Sequence, residues 1–206
     1  MPLVKSISCG DISIALWHIS ESEEELVKIS TYSNELPRNP ARRKERLAVV
    51  ASLEALGLPA NYCYDQWGRP YIPGNEVFIS ITHTEGLAAI ALSKIQPVGI
   101  DVELLGRDFQ KVSGKYLTER EASHASRYSH EHFALTWCAK EAIYKLPWPK
   151  SMVFNRDIEV MFESDTFKRG WLIAKVQNTG EQITLKVFFT FMNRYCLAWV
   201  GMNTFQ

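Results

Sequence analysis

Asp101 and Glu103 stand two residues apart in the segment Val98-Gly99-Ile100-Asp101-Val102-Glu103. Its branched apolar residues predict a short strand over 98–103, and on a strand residues two apart share a face. Two carboxylates that project together repel unless a cation lies between them. A hard divalent cation such as Mg2+, which takes oxygen ligands and also binds substrate phosphates, meets that need. An ordinary solvated acidic face is the plainer alternative. A third carboxylate, Glu141, lies in Trp137-Cys138-Ala139-Lys140-Glu141-Ala142-Ile143-Tyr144-Lys145. At helical spacing it neighbours both Trp137 and Lys145, four residues to either side. A surface Glu–Lys pair worth about 0.3–0.5 kcal/mol is the modest reading of that helix.

Polar groups of a different kind precede these. Thr82 and His83 sit where a strand meets the turn His83-Thr84-Glu85-Gly86, and hydroxyl, imidazole and backbone N–H groups together can hold phosphate oxygens. Gly68-Arg69-Pro70 is a turn that displays one arginine. Residues 1–35 carry two bases against six acids, whereas residues 36–50 carry five bases (Arg38, Arg42, Arg43, Lys44, Arg46) against one acid. In isolation that basic run reads as a solvated helix face.

These groups need positioning elements. Asn39 caps a helix with Pro40 in its first turn and Gly57 beyond its end, and Leu47, Val50, Ala51 and Leu58 supply its apolar stripe. Ser22 and Glu25 form a capping-box pattern, as do Thr118 and Glu121. Strands are predicted over 12–19, 77–82, 87–93 and 98–103. A long helix is predicted over 131–146, stopped by Pro147 and Pro149. Four more strands follow over 158–162, 171–176, 183–191 and 195–200, with connections short enough to imply antiparallel pairing. A break near residues 94–97 separates two halves, each with helices and neighbouring strands.

Composition bounds the rest. The 206 residues carry 23 basic and 23 acidic side chains and are 46% hydrophobic, so the chain is globular and poorly suited to a long nucleic acid. Cys9, Cys63, Cys138 and Cys196 are scattered, which favours reduced thiols over a disulfide or zinc framework. No signal-peptide pattern opens the chain, and no apolar run approaches the roughly 20 residues of a membrane helix. A soluble cytoplasmic protein is expected.

The motifs in this order resemble the 4'-phosphopantetheinyl transferases, in particular their larger, surfactin-type branch. The resemblance rests on Gly68-Arg69-Pro70, Thr82-His83-Thr84, Val98 to Glu103 and Trp137 to Lys145, within residues 65–145. It implies an α+β fold of two similar subdomains related by a pseudo-twofold, residues 1–97 and 98–206, with the active site in the cleft between them. It implies transfer of 4'-phosphopantetheine from coenzyme A to a serine of an apo acyl or peptidyl carrier protein, releasing adenosine 3',5'-bisphosphate. The metal, Mg2+ or Mn2+, would be held by Asp101, Glu103 and Glu141. Glu141 would also act as general base, and Lys145 would meet the pyrophosphate. Arg42, Arg46, Arg69, Thr82 and His83 would contact the coenzyme phosphates, with Arg42 or Arg46 at the 3'-phosphate. Glu121 fits a further family carboxylate. The carrier would dock near residues 107–121, through Phe109, Val112, Tyr116 and Leu117 unless these are core, steered by Lys111, Lys115 and Arg120. A monomer is expected, with no nucleic-acid or membrane partner. Two rivals are another Mg2+-dependent enzyme acting on a nucleotide or pyrophosphate, and a non-catalytic carrier-binding module.

Overall fold

The computed structural model describes residues 3–30, 35–149 and 151–203. The fold is mixed α+β, and the chain divides into two compact units, Met1–Gln96 and Pro97–Gln206.

The first unit contains β1 (Leu3–Cys9), β2 (Ile12–His18), α1 (Glu23–Ile29), α2 (Pro40–Ala55), β3 (Cys63–Tyr64), β4 (Pro70–Tyr71), β5 (Phe78–Thr84) and β6 (Leu87–Ser93). Four strands form one antiparallel sheet in the order β1-β2-β6-β5. Gly10, at φ +61°, makes the tight β1–β2 turn that only a residue without Cβ takes readily. Asp11 beside it accepts from the Ser93 hydroxyl and, at 2.7 Å, from Gln96 Nε2, fastening the hairpin to the end of β6. Asn39 Oδ1 accepts from the Arg42 N–H at 3.2 Å and so starts α2 at the proline, as the sequence predicts. The helix buries Leu47, Val50 and Leu53 in one cluster with Trp17, Ile79 and Ile90. The β5–β6 hairpin differs from expectation. β5 continues through Thr84, and the turn is the two-residue Glu85-Gly86 loop, with Gly86 at φ +76°. Thr82, His83 and Thr84 pair with Ala89, Ala88 and Leu87, which places them in the ladder rather than in the turn.

The second unit contains β7 (Val98–Leu104), α3 (Glu119–His124), α4 (His130–Tyr144), α5 (Phe154–Asp157), β8 (Ile158–Met161), α6 (Thr166–Arg169), β9 (Trp171–Asn178), β10 (Glu181–Met192) and β11 (Tyr195–Gly201). Its sheet is antiparallel with the order β7-β11-β10-β9-β8, so the first strand pairs with the last. The long helix α4 crosses β7 and β11. Phe133, Ala134, Cys138, Ala139 and Ala142 enter a core shared with Leu172, Ala174, Leu185, Val187, Cys196 and Ala198. Residues 110–115 form a 3-10 helix. Among the described residues no helix is long and apolar enough to cross a membrane.

Candidate active site

The site in the second unit is set by how closely α4 approaches β7. Gly99 makes that approach possible: a Cβ built there would lie 1.9 Å from the carbonyl oxygen of Ala142 and 2.9 Å from its carbonyl carbon. Both are backbone atoms, so a side chain at 99 forces the helix off the strand. Gly99→Ala is expected to destabilise the protein by about 2–3 kcal/mol through overpacking, read as a lower denaturation midpoint. Unchanged stability would mean that the crossing is looser than described.

Across this contact the alternation of β7 turns Asp101 and Glu103 to the face that Gly99 presents to α4. Both are buried, at 7% and 8% exposure, and Glu141 on α4 is half-buried. The indole Nε1 of Trp137 donates to Glu103 Oε1 at 2.8 Å. Arg107, just past the strand, forms an ion pair with Glu103 Oε2. Lys145 Nζ donates to Asp101 Oδ1 at 2.9 Å and to the Ile100 carbonyl at 2.8 Å. The Cys138 thiol donates to the Asp101 carbonyl at 3.1 Å, tying the helix to the strand behind the carboxylates.

The electrostatics show a surplus of negative charge. Burial, and then the charge of Asp101, push the Glu141 carboxyl up to about 7, with Lys145 opposing. Burial and Asp101 also raise Glu103, against hydrogen bonds from Arg107 and Trp137. Among the described residues no three His, Cys, Asp or Glu side chains form a group spaced to hold a metal ion; Asp101 and Glu103 are instead drawn to Lys145 and Arg107. The donor set nevertheless fits a hard divalent cation. It is all carboxylate oxygen, and the proton affinities of Glu103 and Glu141 are both raised in part by acidic neighbours, a repulsion that a cation would relieve.

Arg42, Arg46, Arg69, Thr82 and His83 belong to the first unit. Arg42 is exposed at the start of α2. Arg46, one turn on, has its guanidinium 4.1 Å from the Tyr62 ring centroid and 5.5 Å from that of Tyr64. Arg69 closes the turn in which Asp65 Oδ1 accepts from the N–H groups of Trp67 and Arg69, at 2.9 and 2.8 Å, and its guanidinium is 5.5 Å from the Trp67 ring centroid. Thr82 and His83, expected to act together, point to opposite faces of β5: Thr82 is buried and His83 exposed. His83 Nδ1 lies 3.3 Å from Glu45 Oε2 on α2.

Three residues have roles that spacing did not reveal. Arg107 reaches Glu103 through a chain reversal. Lys140 is fully buried and donates to Glu121 Oε2 at 2.6 Å, to the Tyr116 carbonyl at 2.6 Å and to the Phe154 carbonyl at 3.1 Å. Glu121, read as an accessory site carboxylate, is occupied in the core: Oε2 also accepts from the Thr118 N–H, and Oε1 from the Val160 N–H at 2.7 Å. Of the two readings open for the apolar residues of 107–121, docking surface or core, the structure favours the core. Phe109, Tyr116 and Leu117, which flank the 3-10 helix, are buried, and Val112 within it packs against the same cluster. Lys111, Lys115 and Arg120 remain exposed, with Arg120 paired to Glu159 at 3.2 Å.

Residues 97–198 match the model of the 4'-phosphopantetheinyl transferase superfamily. The match includes Asp101, Glu103, Glu141 and Lys145 and leaves out the first unit. Enzymes of the family act on carrier proteins with coenzyme A as co-substrate and usually a divalent metal. No curated protein matches this sequence.

Proposed function

We propose that the protein transfers 4'-phosphopantetheine from coenzyme A to a serine hydroxyl of an apo acyl or peptidyl carrier protein, as a transferase of the surfactin-type branch. The observation that carries this reading is Glu141: a half-buried carboxyl pushed to about 7, beside Asp101, Glu103 and Lys145, at the helix–strand crossing of the matched domain. In the step, the serine oxygen forms a bond to the phosphorus that bears the pantetheine arm. The bond to the bridging pyrophosphate oxygen breaks, and its electron pair leaves with adenosine 3',5'-bisphosphate. The hydroxyl proton passes to Glu141, the carboxylate that α4 sets beside the reacting groups, acting as general base. Lys145 offsets charge accumulating on the leaving group. A divalent cation held by Asp101, Glu103 and Glu141 would neutralise the pyrophosphate.

Arg42, Arg46, Arg69 and His83 are assigned to the coenzyme phosphates, with Thr82 buried behind His83. The planar guanidinium of Arg46 over Tyr62 is preorganised for an anion. Arg46→Ala should therefore erase the preference for coenzyme A over 3'-dephospho-coenzyme A, measured as the ratio of their kcat/KM values. A preserved ratio, in Arg42→Ala as well, would remove both arginines from the 3'-phosphate. A reducing, cytoplasmic setting is proposed from the scattered spacing of the four cysteines in the sequence. A monomer is proposed, since one chain carries every assigned residue.

Chromatographic detection of adenosine 3',5'-bisphosphate tests the reaction. Release should require both the apo carrier and the divalent cation, and should stop on chelation. Release at the same rate without any carrier would make the protein a hydrolase instead.

A further inference from the structure

The two oxygens of Glu103 have different partners. Oε1 accepts from Trp137, whose indole is wedged among Phe109, Tyr116 and Phe154 with ring centroids 5.3–6.3 Å away. That donor is neutral and fixed. Oε2 is taken by Arg107, whose side chain is 55% exposed while that of Glu103 is 11% exposed. Arg107 is set there by the backbone: its N–H donates to the Leu104 carbonyl at 3.2 Å, folding the chain back over the end of β7. Its guanidinium lies 5.2 Å from the Phe109 ring centroid. A surface side chain thus covers the outer oxygen of a buried carboxylate, while a core side chain holds the inner one.

We propose that Arg107 is a displaceable internal counter-ion: it occupies Glu103 until a divalent cation arrives, and by competing for that carboxylate it sets how tightly the site takes the cation. The inference rests on the metal-site reading above. Charge supports it. Asp101, Glu103 and Glu141 are neutralised by Lys145 together with one divalent cation. Arg107 held in addition leaves an excess positive charge in a partly buried place, where unscreened repulsion is costly. Exposure makes release cheap, because the guanidinium regains water as it leaves.

The test is Mn2+ titration of the full-length protein without coenzyme, followed by electron paramagnetic resonance of free Mn2+, for the wild type, Arg107→Gln and Arg107→Lys. Thermal unfolding without metal is measured in parallel. Arg107→Gln should bind Mn2+ about tenfold more tightly, because the competitor is gone, yet unfold at a lower temperature without metal, because Glu103 has lost its counter-ion. A loosened loop would weaken both. Arg107→Lys keeps the charge and should stay within about threefold of the wild type in affinity. Affinity in Arg107→Gln equal to or weaker than the wild type, with the wild type binding Mn2+, overturns the inference alone. If Arg107→Gln does not fold, Arg107→Met takes its place with the same expectation. A wild type that takes up no Mn2+ overturns the metal site and this inference with it.

Discussion

Glu141→Gln is expected to lose transfer by about 10²–10⁴-fold, the usual worth of general-base assistance, and at pH 8 to unfold less readily than the wild type. The second half of this expectation comes from the same burial that suits Glu141 to its role. Its carboxyl holds a proton up to about 7 in the folded protein, above its ordinary value of 4.5. The folded state therefore binds that proton more tightly than the unfolded chain does. The resulting stabilisation is complete below about pH 4.5 and is lost as the pH rises through 7. At about 1.4 kcal/mol per pH unit the loss would be about 3.5 kcal/mol; partial exposure reduces it to about 1–2 kcal/mol. Glutamine is neutral at every pH and avoids that loss. Chemical denaturation at pH 8 without metal should show the variant to be more stable, and at pH 4.5 the two should converge. Wild-type turnover with authentic carrier and Mg2+ would end the assignment of Glu141 as base.

Lys140→Met is expected to cost about 3–5 kcal/mol, the range for breaking a buried ion pair from one side. Burial lowers the proton affinity of Lys140, and the Glu121 carboxylate opposes that effect. All three hydrogens of the ammonium have acceptors: Glu121 and the carbonyls of Tyr116 and Phe154. The network joins α4, α3, β8 and the 3-10 segment, and it sits one residue before Glu141. Methionine fills much of the volume but leaves the Glu121 charge in the core with only the N–H groups of Thr118 and Val160. Lys140→Met combined with Glu121→Gln removes that stranded charge and should recover part of the loss. Denaturant titration of both variants checks this. A single variant within 1 kcal/mol of the wild type would show that the pair contributes little.

How far the sequence could be read follows from what each feature depends on. The shared face of Asp101 and Glu103 is a property of strand periodicity, and the neighbouring of Glu141 and Lys145 is a property of helix periodicity, so both were legible. The caps at Ser22, Asn39 and Thr118 were equally so, because each is made within a few residues of chain. Gly99 was visible as a motif letter, but its reason was not. It needs the crossing of α4 over β7 at Ala142, a contact between segments some forty residues apart. Phe109 and Tyr116 have the same composition in a docking surface as in a core, and only the 3-10 turn decides between them. The opposite faces of Thr82 and His83 followed from where the hairpin turn fell, and the turn moved by two residues. β1 was missed because Lys5, Ser6 and Ser8 interrupt its apolar pattern. The ion pair of Arg107 depends on the path of the chain after β7, which spacing does not encode.

The most direct test of the central claim is the intact mass of carrier proteins. The protein is incubated with coenzyme A, Mg2+ and a panel of purified apo acyl and peptidyl carriers, with Glu141→Gln alongside. A transferase adds one phosphopantetheine to at least one carrier, a gain of about 340 Da from the composition of the transferred group, and the variant adds none in the same time. Unchanged mass across every carrier, with coenzyme A consumed or untouched, would contradict it.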